Sequence, residues 1–268
     1  CGGSGGHREP SEQAVPRKHR GPGTTITKGY FGAMGTTQEV RAAAVAGQFY
    51  PREAGPLRRC VLALLEEALR TDPDLGSPKA LIVPHAGYVY SAPIAATAYR
   101  TLLPLRGSIR RVVLLGPTHH VPVSGLALPG AHSFESPLGR IQVDEEAVAR
   151  ILTMPQVKTS AAAHAHEHSL EVQLPFLQLT LGDFRLVPLA VGHPTAEAVA
   201  EVLAVLWGGP ETLVVVSSDL SHYHPYEMAQ RMDRKTCASI GAMELLDNHE
   251  QACGATPVNG LLLAARRF

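Results

Sequence analysis

Thr212-Leu213-Val214-Val215-Val216-Ser217-Ser218-Asp219-Leu220-Ser221-His222-Tyr223-His224 changes character partway along. The first five residues form an unbroken run of β-branched and apolar side chains, the pattern of a strand buried on both faces. The next eight crowd hydroxyls, a carboxylate and two imidazoles into a loop. Strands buried on both faces belong to largely parallel sheets covered by helices. In such sheets the working groups gather beyond the carboxyl ends of the strands. Two other segments repeat the pattern: Ala80-Leu81-Ile82-Val83 runs into Pro84-His85-Ala86-Gly87-Tyr88, and Arg111-Val112-Val113-Leu114-Leu115 into Gly116-Pro117-Thr118-His119-His120.

Helical stripes fill the intervals. Leu57, Val61, Leu64, Leu65, Ala68 and Leu69 recur every three or four residues and predict an amphipathic helix that ends before Asp72-Pro73, with Cys60 as a packed thiol on it. Further helices are expected over 92–103, 144–154 (acids in its first turn), 169–179 (Ser169 as its N-cap), 195–206, 227–246 (with Cys237) and 259–265, and a strand over 184–191. Breakers between 121 and 143 suggest a hairpin, so the sheet should be mixed. This alternation gives an α/β class: a single domain whose mixed, mostly parallel sheet carries helices on both faces. Residues 1–38 lack periodicity and are expected to be a disordered N-terminal extension. The chain opens on Cys1, and Met34 shortly precedes the first globular segment, so 1–33 reads as foreign to the functional protein. Residues 39–268 make the domain, and a helix still under way at Phe268 reads as a C-terminal truncation.

Composition removes several functions. The 268 residues carry 24 Lys+Arg against 24 Asp+Glu, a formal charge of zero, so there is no general field for nucleic acid or an anionic membrane. No apolar run approaches the length of a membrane span. Four cysteines (Cys1, Cys60, Cys237, Cys253) lie far apart without a C-x-x-C pair, which fits a reducing, cytoplasmic setting. The sequence has no glycine-rich phosphate loop and no H-E-x-x-H helix, and no G-x-S-x-G follows a strand pattern as a nucleophile elbow requires.

What remains is a metal. If the three strands are neighbours, His85, the His119-His120 pair and Asp219 with His222 and His224 converge on one crevice. Two imidazoles plus an anionic third ligand with open positions is the pattern of a mononuclear catalytic site. The third ligand is either Asp219 or Cys253; a thiolate favours iron, copper or zinc over magnesium or calcium. Only one of His119 and His120 is expected to face the site. His164 and His166 read as solvated. Glu167, His168 and Glu171 are harder to dismiss, His168 and Glu171 being three apart on one helical face and so able to line the same crevice.

Gly47-Gln48-Phe49-Tyr50, Pro84-His85-Ala86-Gly87-Tyr88, Gly116-Pro117-Thr118-His119-His120, Glu167-His168-Ser169-Leu170-Glu171, Ser217-Ser218-Asp219-Leu220-Ser221-His222 and Cys253-Gly254 occur in the order and rough spacing of the Memo family, called AmmeMemoRadiSam system protein B in prokaryotes. That family resembles the class III extradiol (LigB-type) non-haem iron dioxygenases. The resemblance implies a LigB/Memo-like α/β fold with His85, His119 and Cys253 at the metal and Asp219 and His222 beside it. His222 would match the acid/base histidine of the dioxygenases, whose third ligand is a carboxylate where this chain has Cys253. It further implies Fe(II) or Cu as cofactor, with Zn as another option, and a redox or oxygenase-like activity on an unidentified small molecule. Radical SAM and Ammecr-type proteins are the implied partners, with His224 left at the surface. The alternatives are a metal- or peptide-binding module without turnover and a metal-dependent hydrolase.

Overall fold

A computed structural model describes residues 38–69 and 76–268. The extension expected over 1–38 lies outside these residues, save that the first strand, β1, already begins at Gln38 (Gln38–Arg41). Helix α1 (Ala54–Glu67) follows, burying Leu57, Val61 and Leu65, the stripe read from the sequence. Cys60 packs half-buried against the same core.

Six strands form the main sheet: β2 (Ala80–Val83), β3 (Arg111–Pro117), β4 (Leu126–Leu128), β7 (Val157–Thr159), β8 (Arg185–Val191) and β9 (Thr212–Ser217). Their order is β2-β9-β3-β8-β4-β7. Every pairing is parallel except β4 with β8. The sheet is therefore mixed, but not through the expected hairpin. That hairpin, β5 (Ala131–Ser136) and β6 (Gly139–Gln142), joins β1 in a separate three-stranded sheet. The single sheet read from the sequence becomes two.

Side-chain alternation along the central strands divides the interior. Val112, Leu114, Leu213 and Val215 face one core with α1, α2 (Tyr88–Arg100) and α5 (Leu174–Leu181). Val113, Leu115, Val214 and Val216 face the other with α3 (Glu145–Leu152), α6 (Ala196–Leu206) and α8 (Ala255–Ala265). Helices on both faces are what strands apolar on both sides require. Asp144 and Thr195 cap α3 and α6 through Ala147 N and Ala198 N. Among the described residues no helix is long and apolar enough to cross a membrane.

Several helix limits differ from expectation, each for a local reason. Residues 161–165 are a short helix, α4 (Ala161–Ala165), because the Ser160 hydroxyl accepts from Ala163 N. Ser169 is not a cap: its hydroxyl donates to Pro117 O at 2.9 Å, and α5 begins only at Leu174, with Pro175 in its first turn where a missing N–H costs nothing. Helix α2 starts at Tyr88, since Gly87 O accepts from Tyr90 N and Ser91 N and closes its first turn. Helix α7 (Tyr226–Gly241) stops short of 246: Met243 takes φ 61 and Leu246 N donates to the Asn259 side chain at 2.7 Å.

Candidate metal centre

His85 lies two residues beyond β2, Asp219 two beyond β9 and His119 two beyond β3, and β9 sits between the other two strands. Parallel neighbours ending at one level bring the three side chains to one edge of the sheet. Cys253 arrives from the loop before α8. Cys253 N donates to Asp219 O at 3.2 Å and Gly254 N to Ser218 Oγ at 2.9 Å. A Cβ on Gly254 would lie 2.7 Å from Ser218 Cβ, so only glycine lets this loop come so close.

The donor atoms of His85, His119 and Cys253 lie within 4.8 Å of one another. The hydrogen bonds behind them fix which nitrogens face the centre. Ser217 Oγ donates to Ser169 O at 2.6 Å and accepts from Gln173 Nε2 at 2.8 Å. Its remaining lone pair faces His85 Nδ1 at 2.9 Å, so Nδ1 carries the proton and Nε2 turns its lone pair to Cys253 Sγ, 3.2 Å away. Gln173 is itself held by Pro84 O and the Tyr99 hydroxyl. Glu167 does the same for His119: Oε1 accepts from Nδ1 at 2.8 Å and from Ser169 N at 2.9 Å, and Oε2 from His119 N at 2.6 Å. Carboxylate-to-histidine bonds of this kind orient ring ligands for a metal.

The electrostatics suit a soft cation. Burial pushes the Cys253 thiol up, but hydrogen bonds with His119 and His85 outweigh it and bring its pKa down to about 6. Burial disfavours a charged His119, yet the bonds to Cys253 and Glu167 lift it to about 9. Glu167 is held at about 2 against its burial, chiefly by the His119 ring and by Ser169 N. Two directed imidazoles and a thiolate fit a divalent iron, copper or zinc ion better than a hard oxygen-seeking one.

His168 forms a wall of the site. Its ring stacks on His119 with centroids 4.5 Å apart, meets His85 edge-on at 5.5 Å and touches Phe49 at 4.7 Å. Burial depresses its pKa to about 4, so it stands neutral at pH 7. Asp219 Oδ1 accepts from His85 N at 2.6 Å and Ala86 N at 3.3 Å, while Oδ2 faces His85 Nε2 at 3.9 Å and His222 Nε2 at 3.7 Å. Asp219 thus clamps the His85 turn and reaches the half-exposed His222. His120 is exposed, as is His166, and His224 is partly covered.

Two expectations need correction. His164 is buried, donating Nε2–H to Ala127 O at 2.8 Å beneath the edge of Phe134, and burial lowers its pKa to about 4. Glu171 does not line the crevice. No helix joins it to His168, and it turns instead to Arg41, Ala44 N, Val45 N and the Tyr50 hydroxyl. Ser217 and Gln173 orient His85 without a distinctive sequence signal: Ser217 is one of several hydroxyls after the apolar run, and Gln173 is a polar residue inside an apolar segment.

Two oriented imidazoles at the ends of β2 and β3, on either side of β9, and a thiol from the loop before α8 make a candidate site for a single metal ion on an α/β sheet. The chain belongs to the Memo family: the model described as Memo-like protein matches residues 41–267. It is 35% identical over 245 residues to a MEMO1 family protein of Methanothermobacter thermautotrophicus, covering 85% of this chain and 88% of that one. A MEMO1 family protein of Methanopyrus kandleri is 34% identical over 248 residues (84% and 87%), and one of Aquifex aeolicus 36% over 217 (79% and 77%). The solved structure of an uncharacterized Escherichia coli K12 protein aligns at a TM-score of 0.40 and 16% identity, over 62% of this chain and 81% of that one.

The depressed thiol can be tested alone. An acid whose pKa is lowered to about 6 is ionised above that pH and loses its reactivity below it. Burial raises the Cys60 and Cys237 thiols. In metal-free protein at pH 7, iodoacetamide is therefore expected to label Cys253 at least about tenfold faster than either, and Zn or Cu to suppress that labelling. Peptide mapping by mass spectrometry reads both effects; equal labelling of the three would contradict the assigned thiolate.

Proposed function

We propose that this Memo-family protein is a cytoplasmic, metal-dependent redox enzyme of oxygenase-like type, with Fe(II) or Cu held by His85, His119 and Cys253. The observation that carries it is the convergence of three donors within 4.8 Å, their ring nitrogens oriented by Ser217 and Glu167. A redox-active ion bound there would supply one-electron chemistry and open positions for a small molecule. Asp219 holds the turn that presents His85 and faces His222, so the pair can take up and release a substrate proton at His222 Nε2. Neutral His168 and Phe49 give the substrate an apolar, aromatic wall. The resemblance to extradiol dioxygenases supports the reaction type; Cys253 in place of their carboxylate argues against simple transfer of ring cleavage. Radical SAM and Ammecr-type proteins belong to the same proposal as partners.

Anaerobic reconstitution with Fe(II) or Cu, followed by an oxygen electrode, tests it. Oxygen uptake with catechols or related reductants is expected, falling at least about 100-fold in His222→Ala. No uptake across that set would overturn the oxygenase reading in favour of a binding module without turnover; hydrolysis of activated esters by Zn-loaded protein would favour a hydrolase.

A further inference from the structure

At the other end of the sheet, where the strands begin, a cavity of about 610 Å³ is lined by Arg58, Arg106, Arg110, Arg140 and Arg185. From Arg111, at the start of β3, to His119 is eight residues of extended chain, about 25 Å, so this cavity is separate from the metal centre. The arginines come from different elements: Arg58 from α1, Arg106 and Arg110 from the approach to β3, Arg140 from β6 and Arg185 from the first residue of β8. The fold brings them together, since Arg185 N donates to Arg110 O at 2.8 Å. Asp183 is the one carboxylate of the lining. Five guanidiniums against one acid in a chain of zero net charge is a strong local excess.

These charges are not spent on the protein. Among the described residues Arg58, Arg110 and Arg185 make no side-chain hydrogen bond or ion pair, and Arg140 has only a loose contact of 3.6 Å with Glu135. Arg106 is held in place by Leu179 O at 2.8 Å, with other donors free. Asp144 and Glu145, in the adjoining pocket that Arg185 also borders, are engaged by Arg111 and His132. Leu138 and Phe184 add apolar surface to the lining. Grouped guanidiniums match phosphate oxygens in fork geometry, and the volume falls in the range of small-molecule sites.

We propose that this cavity binds a small organic polyphosphate of nucleoside-diphosphate size, with Arg106, Arg110 and Arg185 on the phosphates and Phe184 against the organic part. Recognition would rest on side chains, in keeping with a sequence that has no glycine-rich phosphate loop.

Isothermal titration of the full chain, metal-free and in EDTA, with ADP, pyrophosphate and adenosine tests the inference. ADP is expected to bind, adenosine not, and pyrophosphate at least about tenfold more weakly than ADP. The Arg110→Gln/Arg185→Gln protein should bind ADP at least about tenfold more weakly; both side chains are exposed, and circular dichroism checks that the variant folds. Binding to His119→Ala protein should match the unaltered chain. Unchanged affinity in the arginine variant, or no ADP binding at millimolar concentration, overturns the site. Pyrophosphate binding as tightly as ADP overturns the role given to Phe184, and loss of ADP binding in His119→Ala returns the phosphate to the metal centre.

Discussion

His119→Ala protein is expected to bind Fe(II) or Cu at least about 100-fold more weakly than the unaltered chain, because removing even a residue that orients a ligand costs about 10–100-fold. Metal content after anaerobic reconstitution, with competition against a chromophoric chelator, reads the effect. Two groups of side chains compete for the ion: His85 with His119 and Cys253, and His119 with Glu167 and His168. The geometry favours the first. Both oxygens of Glu167 are already occupied, by His119 Nδ1, His119 N and Ser169 N, and a carboxylate spent on three N–H donors is a poor ligand. Cys253, by contrast, faces His85 Nε2 directly. Cys253→Ser should therefore lose metal nearly as His119→Ala does, while His168→Ala keeps its stoichiometry. The reverse pattern would move the ion to the Glu167 side, and full stoichiometry in His119→Ala would remove both.

The sequence makes the β2, β3 and β9 strand ends legible, because each strand is a continuous apolar run against which its polar end stands out; β3 and β9 are buried on both faces, whereas β2 is a partly covered edge strand. It also gives His85, His119 and Asp219 as a converging set, on the condition that the strands are neighbours, which they are. Choosing between Asp219 and Cys253 was beyond spacing, since the cysteine comes from 34 residues further along and is brought in by backbone contacts with the β9 end. His166 and His164 read as solvated by composition; His166 is exposed, but His164 is buried. Its burial comes from elsewhere: Arg41 on β1 binds His164 O and Glu167 O, and β4 offers Ala127 O to the ring of His164. Such pairings, 123 and 126 residues apart, leave no periodicity to read.

The same long-range anchoring makes Glu171 a costly position to change. Its side chain is fully buried and surrounded by donors: Arg41 and Ala44 N (2.8 Å) at Oε2, and Val45 N (3.0 Å) and the Tyr50 hydroxyl (2.5 Å) at Oε1. Glu171→Leu keeps roughly the volume but leaves a buried guanidinium without its counter-charge, and such losses cost about 3–5 kcal/mol. Arg41 retains His164 O at 3.0 Å and Glu167 O at 2.6 Å, which limits the damage to the cation, but the two amides and the tyrosine hydroxyl have nowhere to turn. Glu171→Gln is not conservative here, because its NH2 must face two of four donors. Thermal unfolding followed by circular dichroism should show the midpoint falling by roughly 10 °C in Glu171→Leu, and by less in the Arg41→Met/Glu171→Leu double variant, where the stranded charge is gone. A fall of under about 1 kcal/mol would contradict the network. The loss should reach the metal site as well, since residues 44–50 carry Phe49, whose ring backs His168 and whose carbonyl accepts from Tyr88 N at 2.7 Å. Metal affinity is therefore expected to weaken in Glu171→Leu even below its unfolding temperature, although Glu171 touches none of the three donors.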